Sequence, residues 1–129
     1  DATLGHEDAV IVLLGANDRL RLSNSGDFKR EAESYLNRVA ARYGADNVYV
    51  LANIDTLSDP RSLTMGQENT VLQDICRQHG WHFASMYSAF RTVGRSTGIP
   101  QQALYKDGIH PNRMGQVVMW RALQQLLGL

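Results

Sequence analysis

From Val10 to Leu14 the chain is an unbroken run of β-branched and aliphatic residues, and Gly15 closes it. A run this short, with no polar alternation, suits a strand covered on both faces, as in the middle of a parallel sheet. The periodicity then changes. Phe28, Ala32, Tyr35, Leu36, Val39 and Tyr43 recur at helical spacing, with Asp27 as the expected N-cap and Gly44 just past the last turn. A second strand is expected over Asn47 to Ile54, followed by a loop from Asp55 to Leu63 that contains Asp59-Pro60. Thr64 and Gln67 have the spacing of a capping box, and Val71, Leu72, Ile75 and Cys76 supply the apolar side of a helix that stops at Gly80. Trp81 to Tyr87 reads as a third strand, Ser88 to Gly98 as a short helix, and Ile99 to Lys106 as an irregular approach to a last helix. Asn112 can cap that helix, and its residues Gly115, Met119, Ala122 and Leu126 form a stripe facing the sheet. Strand and helix alternate throughout, which predicts an α/β fold with an open parallel sheet and right-handed crossovers.

Length and charge narrow the function. A chain of 129 residues fits a single domain over 1–129, with no repeat or low-complexity tract. Thirteen basic and thirteen acidic residues cancel, so neither nucleic acid nor an anionic membrane surface is an expected partner, and no membrane span is expected. A small or neutral molecule fits better. The lone Cys76 excludes an internal disulfide and reads as core packing. The opening residues, from Asp1 to Gly5, show neither an initiator Met nor a signal-peptide pattern, so the chain is expected to come from something longer.

Two short motifs carry chemistry. Gly15-Ala16-Asn17-Asp18 follows the first strand directly, so its side chains belong on the carboxyl-terminal rim, where ligands bind in open α/β sheets. Asn17 can donate a side-chain N–H to the oxyanion formed when an ester carbonyl is attacked. Gly15 permits a tight turn, and Asp18 can fix it by accepting backbone hydrogen bonds. Alone, this motif reads more readily as a mere strand-ending turn. In Asp107-Gly108-Ile109-His110-Pro111-Asn112 the acid and the imidazole are three residues apart. That spacing allows a carboxylate to hold one ring nitrogen while the other points into a site. Pro111 restricts His110 to an extended backbone and is expected to start the last helix. Alone, the pair reads equally as a surface Asp–His contact.

Taken together, the Asn turn after an inner strand and the Asp-x-x-His-Pro motif before the last helix resemble the final conserved blocks of the SGNH hydrolases, the GDSL esterase and lipase family. The resemblance implies a three-layer α/β/α, flavodoxin-like sheet of order 2-1-3-4-5, of which this chain is the C-terminal part. It further implies that Asn17 is an oxyanion-hole donor, His110 the general base and Asp107 its orienting acid. The activity it implies is ester hydrolysis through an acyl-serine, with O-acetyl groups on carbohydrates among the substrates and no metal or organic cofactor.

Two parts of the pattern are missing. The family's Gly-Asp-Ser serine block, and a glycine whose backbone N–H joins the oxyanion hole, have no counterpart in these residues. Ser23 and Ser25 belong better to the loop and cap before the first helix, so no nucleophile is assigned in this chain. In the implied sheet order the first strand would be left with an exposed apolar edge, a hazard that folded proteins cover. An upstream segment or a second polypeptide carrying the serine is therefore expected to pack there. The alternatives are a non-catalytic module on the same scaffold, and an acyltransferase using the same site.

Other residues read as structural. His79 and His82 are separated by Gly80 and have no evident third ligand, so they are read as structural or surface residues, not metal ligands. Trp81 and Trp120 adjoin apolar segments and are expected to be partly buried. Arg19, Arg21, Arg30 and Arg38 read as solvated surface, and His6 has no recognisable context.

Overall fold

The computed structural model describes residues 9–15, 24–57 and 63–129. Strands β1 (Val10–Leu14), β2 (Val48–Ala52) and β3 (His82–Ser85) alternate with helices α1 (Ser25–Tyr43), α2 (Met65–His79), α3 (Met86–Thr97) and α4 (Arg113–Leu127). Short 3-10 turns occupy Ala45–Asn47 and Gln101–Leu104. The strands are parallel in the order β1-β2-β3, with Val10 opposite Val48 and Tyr49 opposite His82. This is the order of the last three strands of the 2-1-3-4-5 sheet.

Local chemistry sets the helix boundaries. The Thr64 hydroxyl accepts the Gln67 N–H while Gln67 Oε1 accepts the Thr64 N–H at 2.8 Å, so the expected capping box forms at the start of α2. At α1 the cap is Asn24 and not Asp27. Asn24 Oδ1 accepts the Asp27 N–H at 2.9 Å, and Asp27 sits inside the first turn, where its charge complements the helix dipole and it pairs with Arg30. The third strand is shorter than expected and the third helix starts earlier. Ser85 Oγ accepts the Ser88 N–H at 2.9 Å, which caps the helix at once and draws Met86 and Tyr87 into α3. Asn112 caps α4 as expected; Pro111 lies one residue ahead of that cap, in an isolated bridge with Tyr105, and so does not start the helix.

Two apolar layers enclose the sheet. On one face Val12, Val48, Val50 and Ala52 pack with Phe28, Ala32 and Leu36 of α1 and Leu72, Ile75 and Cys76 of α2. On the other, Leu51 packs with Met86 and Phe90 of α3 and Ala122 of α4, with Met119 and Leu126 partly buried against them. The result is a three-layer α/β/α arrangement. Burial of Cys76 pushes its thiol up to about 12.

Among the described residues, the strand covered on both faces is β2 and not β1. Val48, Val50, Leu51 and Ala52 are all buried, whereas Ile11 is 46% and Leu13 49% exposed. The alternation of a strand explains the split. Val12 turns to the α1 side, and Leu13, in register with Leu51, turns to the side of α3 and α4, which does not cover it.

Trp81 is buried, but Trp120 is 53% exposed, against the expectation of partial core burial. The helical turn explains this: Met114, Val117 and Trp120 lie at spacings of three and form an exposed stripe beside the buried Ala122. His79 Nε2 lies 2.8 Å from Glu33 Oε2 and its ring stacks on Trp81; the His82 ring stacks on Tyr49. Among the described residues no group of three or more His, Cys, Asp or Glu is arranged to hold a metal, and no helix is long and apolar enough to cross a membrane. Arg30 and Arg38 are on the exposed surface of α1, while Arg19, Arg21, His6, Ser23 and Asp59-Pro60 lie outside the described residues.

Candidate active site

Gly15 follows β1 with φ +132°, a conformation that side chains of L-residues rarely adopt. Space is equally restrictive. A Cβ there would lie 2.6 Å from Met65 Cε, 3.1 Å from Asn53 Cβ and 3.3 Å from Glu68 Oε2. The Asn53 N–H donates to Leu14 O at 2.9 Å, which keeps the ends of β1 and β2 side by side. Asn17 and Asp18 lie outside the described residues.

The second motif is a loop tied down at its base. Tyr105 and Pro111 form an antiparallel bridge; the Lys106 N–H donates to His110 O at 3.1 Å and the Asn112 N–H to Leu104 O at 2.9 Å. Asn112 also donates its side-chain N–H to Ala103 O at 2.7 Å while its Oδ1 accepts the Gly115 N–H at 3.0 Å. One side chain thus joins the loop to the first turn of α4. Gly115 is needed for this contact, since a Cβ there would meet Leu104 O at 2.3 Å.

Two bonds fasten the loop to the segment after β2. The Tyr105 hydroxyl donates to Asp55 O at 2.8 Å, and the Leu57 N–H donates to Gly108 O at 2.7 Å. Since residues 53–57 leave the carboxyl end of β2, the Asp107–His110 loop sits on the same rim of the sheet as Gly15. Tyr105 is buried, and that burial pushes its hydroxyl up to about 12.

Within the loop, Asp107 Oδ1 accepts the N–H of Ile109 at 2.9 Å and of His110 at 2.6 Å, and Oδ2 lies 2.6 Å from His110 Nδ1. Gly108, with φ +81°, makes the turn tight enough for this. The His110 backbone N–H, then its imidazole, then the Ile109 N–H hold the Asp107 carboxyl well below the usual carboxylate range. With Nδ1–H donated to the carboxylate, Nε2 is the nitrogen left to accept a proton. The side chains are 46% and 64% exposed, so the pair opens to solvent. No serine among the described residues hydrogen-bonds the imidazole; Ser25 is the first residue of α1, and Ser85 is committed to Asn69 and the α3 cap.

Sequence reading missed three contributors. Glu68 has none of its surface exposed, yet it falls four residues before Leu72 and seven before Ile75, on the buried stripe of α2; a carboxylate at that position was the available signal. Tyr105 and the Leu57 backbone carry no signal in the local pattern, because their partners are 50 or more residues away. The loop from Ile99 onward lines a groove with Arg91, Gly94, Arg95 and Gly98, and His110 is not part of its wall.

The model of the GDSL-like lipase/acylhydrolase family matches residues 1–118. No curated protein matches the chain in sequence. Among solved structures, an arginine-to-alanine mutant of Axe2, an acetyl-xylooligosaccharide esterase from Geobacillus stearothermophilus, is similar with a TM-score of 0.78 at 20% identity, over 96% of this chain and 61% of that one. LAE5, an alpha/beta hydrolase from the metagenome of Lake Arreo, Spain, gives 0.74 at 20% identity, over 94% of this chain and 60% of that one. The chain therefore spans about three fifths of these relatives' length. Axe2 has also been solved as catalytic mutants in which a serine, an aspartate or a histidine is replaced by alanine.

Proposed function

The chain belongs to the GDSL-like lipase/acylhydrolase family, and from that premise we propose that it is the C-terminal part of a serine ester hydrolase whose nucleophile lies outside these 129 residues. The observation that carries the reading is the 2.6 Å contact between Asp107 Oδ2 and His110 Nδ1 on a loop fastened to the rim of the sheet. Such a pair is a general base with its tautomer fixed.

In this mechanism the incoming serine Oγ attacks the ester carbonyl carbon and its proton passes to His110 Nε2. Asn17 donates to the resulting oxyanion. Collapse breaks the bond to the alcohol, which leaves with the proton from His110, and an acyl-serine remains. Water then attacks that acyl group, giving its proton to His110; the acid departs and the serine recovers its hydrogen. Asp107 stays ionised and steadies the imidazolium in both halves. Gly15 and Asp18 shape the turn that carries Asn17. O-acetyl groups on carbohydrates are the substrate class favoured, because Axe2 acts on acetylated xylooligosaccharides and its catalytic mutants involve the same three residue types. No metal or organic cofactor enters any step.

The serine-bearing segment packs on β1 in this reading. Among the described residues β1 pairs only with β2, and Ile11 and Leu13 leave an apolar face open beside it. In relatives of similar fold about two fifths of the chain lies outside the matched part. Whether that segment is the upstream part of one polypeptide or a second one, it supplies a strand along β1 and apolar side chains over Ile11 and Leu13. Labelling the native assembly with a fluorophosphonate and locating the adduct by mass spectrometry tests the proposal. A single modified serine upstream of or beside this chain supports it, and an assembly with no modified serine counts against catalysis.

A further inference from the structure

Ile11 and Leu13 stand on the face of the sheet that carries α3 and α4, because residues two apart on a strand point the same way, and both are about half exposed there. The α4 residues buried on this face pack with Leu51 of β2 and Ala84 of β3. A helix is about 10 Å across and neighbouring strands lie about 4.8 Å apart. One bare strand is thus too narrow a floor for a helix, whereas β1 with a strand added along its edge is as wide as one.

Helix α4 supplies a wall for that floor. Val118, Arg121 and Gln125 turn toward α3, where they line a groove with Ala89, Thr92 and the edge strand β3. At 100° per residue, Met119, Trp120, Leu123 and Leu127 fall on the opposite flank, which is the side toward β1. Met119 and Leu123 reach the core from there, and Leu127 is half-buried, but the Trp120 ring is left in the open. Chain handedness points to the same place. The crossovers from β1 to β2 and from β2 to β3 advance one way across the sheet and put α1 and α2 on one face. A right-handed crossover advancing the other way, from a strand beside β1 to one further out, puts its helix on the opposite face. That is the face of Ile11, Leu13 and α4.

We propose that the serine-bearing segment docks as a strand followed by a helix, and that this helix lies over Ile11 and Leu13 against the flank of α4 formed by Met119, Trp120, Leu123 and Leu127. This rests on the reading of the chain as part of an ester hydrolase. Relatives of similar fold keep about two fifths of their chain outside the matched part, the length from which such a unit is drawn. A helix that follows a parallel strand starts at the carboxyl-terminal rim, and α4 also leaves that rim, from Asn112, two residues after His110. The two helices therefore run side by side in the same direction. Their packing sets the height at which a serine at the strand-to-helix junction faces His110 Nε2.

The native, serine-bearing assembly tests this when a photoreactive benzoylphenylalanine is placed in turn at Gln116, Trp120 and Leu127, which share the flank. Adducts mapped by mass spectrometry should fall in the stretch after the fluorophosphonate-labelled serine. They should advance toward its C-terminus, by about ten residues in all, as the photoreactive group moves from 116 to 127. Trp120→Asp should also lower the melting temperature of the assembly by about 5 °C or more, and Val117→Asp, on the outer side of α4, by about 2 °C at most. Adducts to a second copy of this chain, adducts advancing in the reverse order, no adducts, or equal melting shifts each overturn the proposal. If adducts advance as stated along an upstream segment in which no serine is labelled, the functional reading fails and the docking surface stands.

Discussion

Asp107 holds His110 by two atoms at once: Oδ1 accepts the histidine's backbone N–H at 2.6 Å and Oδ2 faces its Nδ1 at 2.6 Å. One carboxylate therefore sets both the path of the chain through the loop and the tautomer of the ring. A surface Asp–His contact needs only the second of these. The double grip is what makes the loop suited to general base chemistry, because the ring cannot rotate without losing its partner.

Replacing Asp107 by Asn keeps an acceptor but removes the charge. Turnover in the serine-bearing assembly should fall about 10²–10⁴-fold with little change in KM. Stability should respond to pH in a defined sense. The folded-state pKa of Asp107 is lowered, so its contribution is present above the unfolded value near pH 3.9 and is lost as pH falls toward the folded one. Melting temperatures of wild type and Asp107→Asn should therefore differ near neutrality and converge in strong acid. A gap that widens on acidification contradicts this assignment.

Asn112 joins the loop to α4, donating to Ala103 O and capping the helix at Gly115 N. Asn112→Ala should cost about 1–2 kcal/mol in urea unfolding and lower turnover as well, since His110 is two residues away. An effect on stability with full activity would show that the loop does not depend on this tether.

Gly115→Ala puts a methyl group within 2.3 Å of Leu104 O and 3.2 Å of Phe90 Cζ. Overpacking of this kind costs about 1–3 kcal/mol. Met114→Ala, at an exposed neighbour, should stay within about 0.5 kcal/mol of wild type. Equal unfolding midpoints for the two variants would mean that α4 does not pack on the loop as described.

Cys76 should be inert in the folded protein. Burial raises its thiol to about 12, so almost no thiolate exists at pH 8, and the sulfur is closed off between α2 and the sheet. Iodoacetamide should modify it only after denaturation, which makes its labelling rate a direct readout of global opening. Rapid modification under native conditions would place the residue outside the core.

The fold was legible where periodicity and caps agree. The aliphatic run at Val10–Leu14, the Thr64–Gln67 box and the Asn112 cap are local signals, and the structure keeps all three. Boundaries failed where one hydroxyl or amide decided them, as when Ser85 capped α3 ahead of Ser88 and Asn24 displaced Asp27. The Asp107–His110 contact was legible because both partners lie within one turn. The neighbours of Glu68 and Tyr105 were not, since Gly15 and Asp55 come from beyond the ends of β1 and β2. Trp120 misled because its neighbours are apolar while its own side of α4 is open.

The central claim is that His110 is the base of an acyl-serine hydrolase completed from outside these residues. Steady-state hydrolysis of an acetylated xylooligosaccharide by the serine-bearing assembly, comparing wild type with His110→Ala, tests it most directly. The account predicts a loss of about 10⁴-fold or more in kcat with an unchanged circular dichroism spectrum. A folded His110→Ala assembly that turns over at close to the wild-type rate would contradict it.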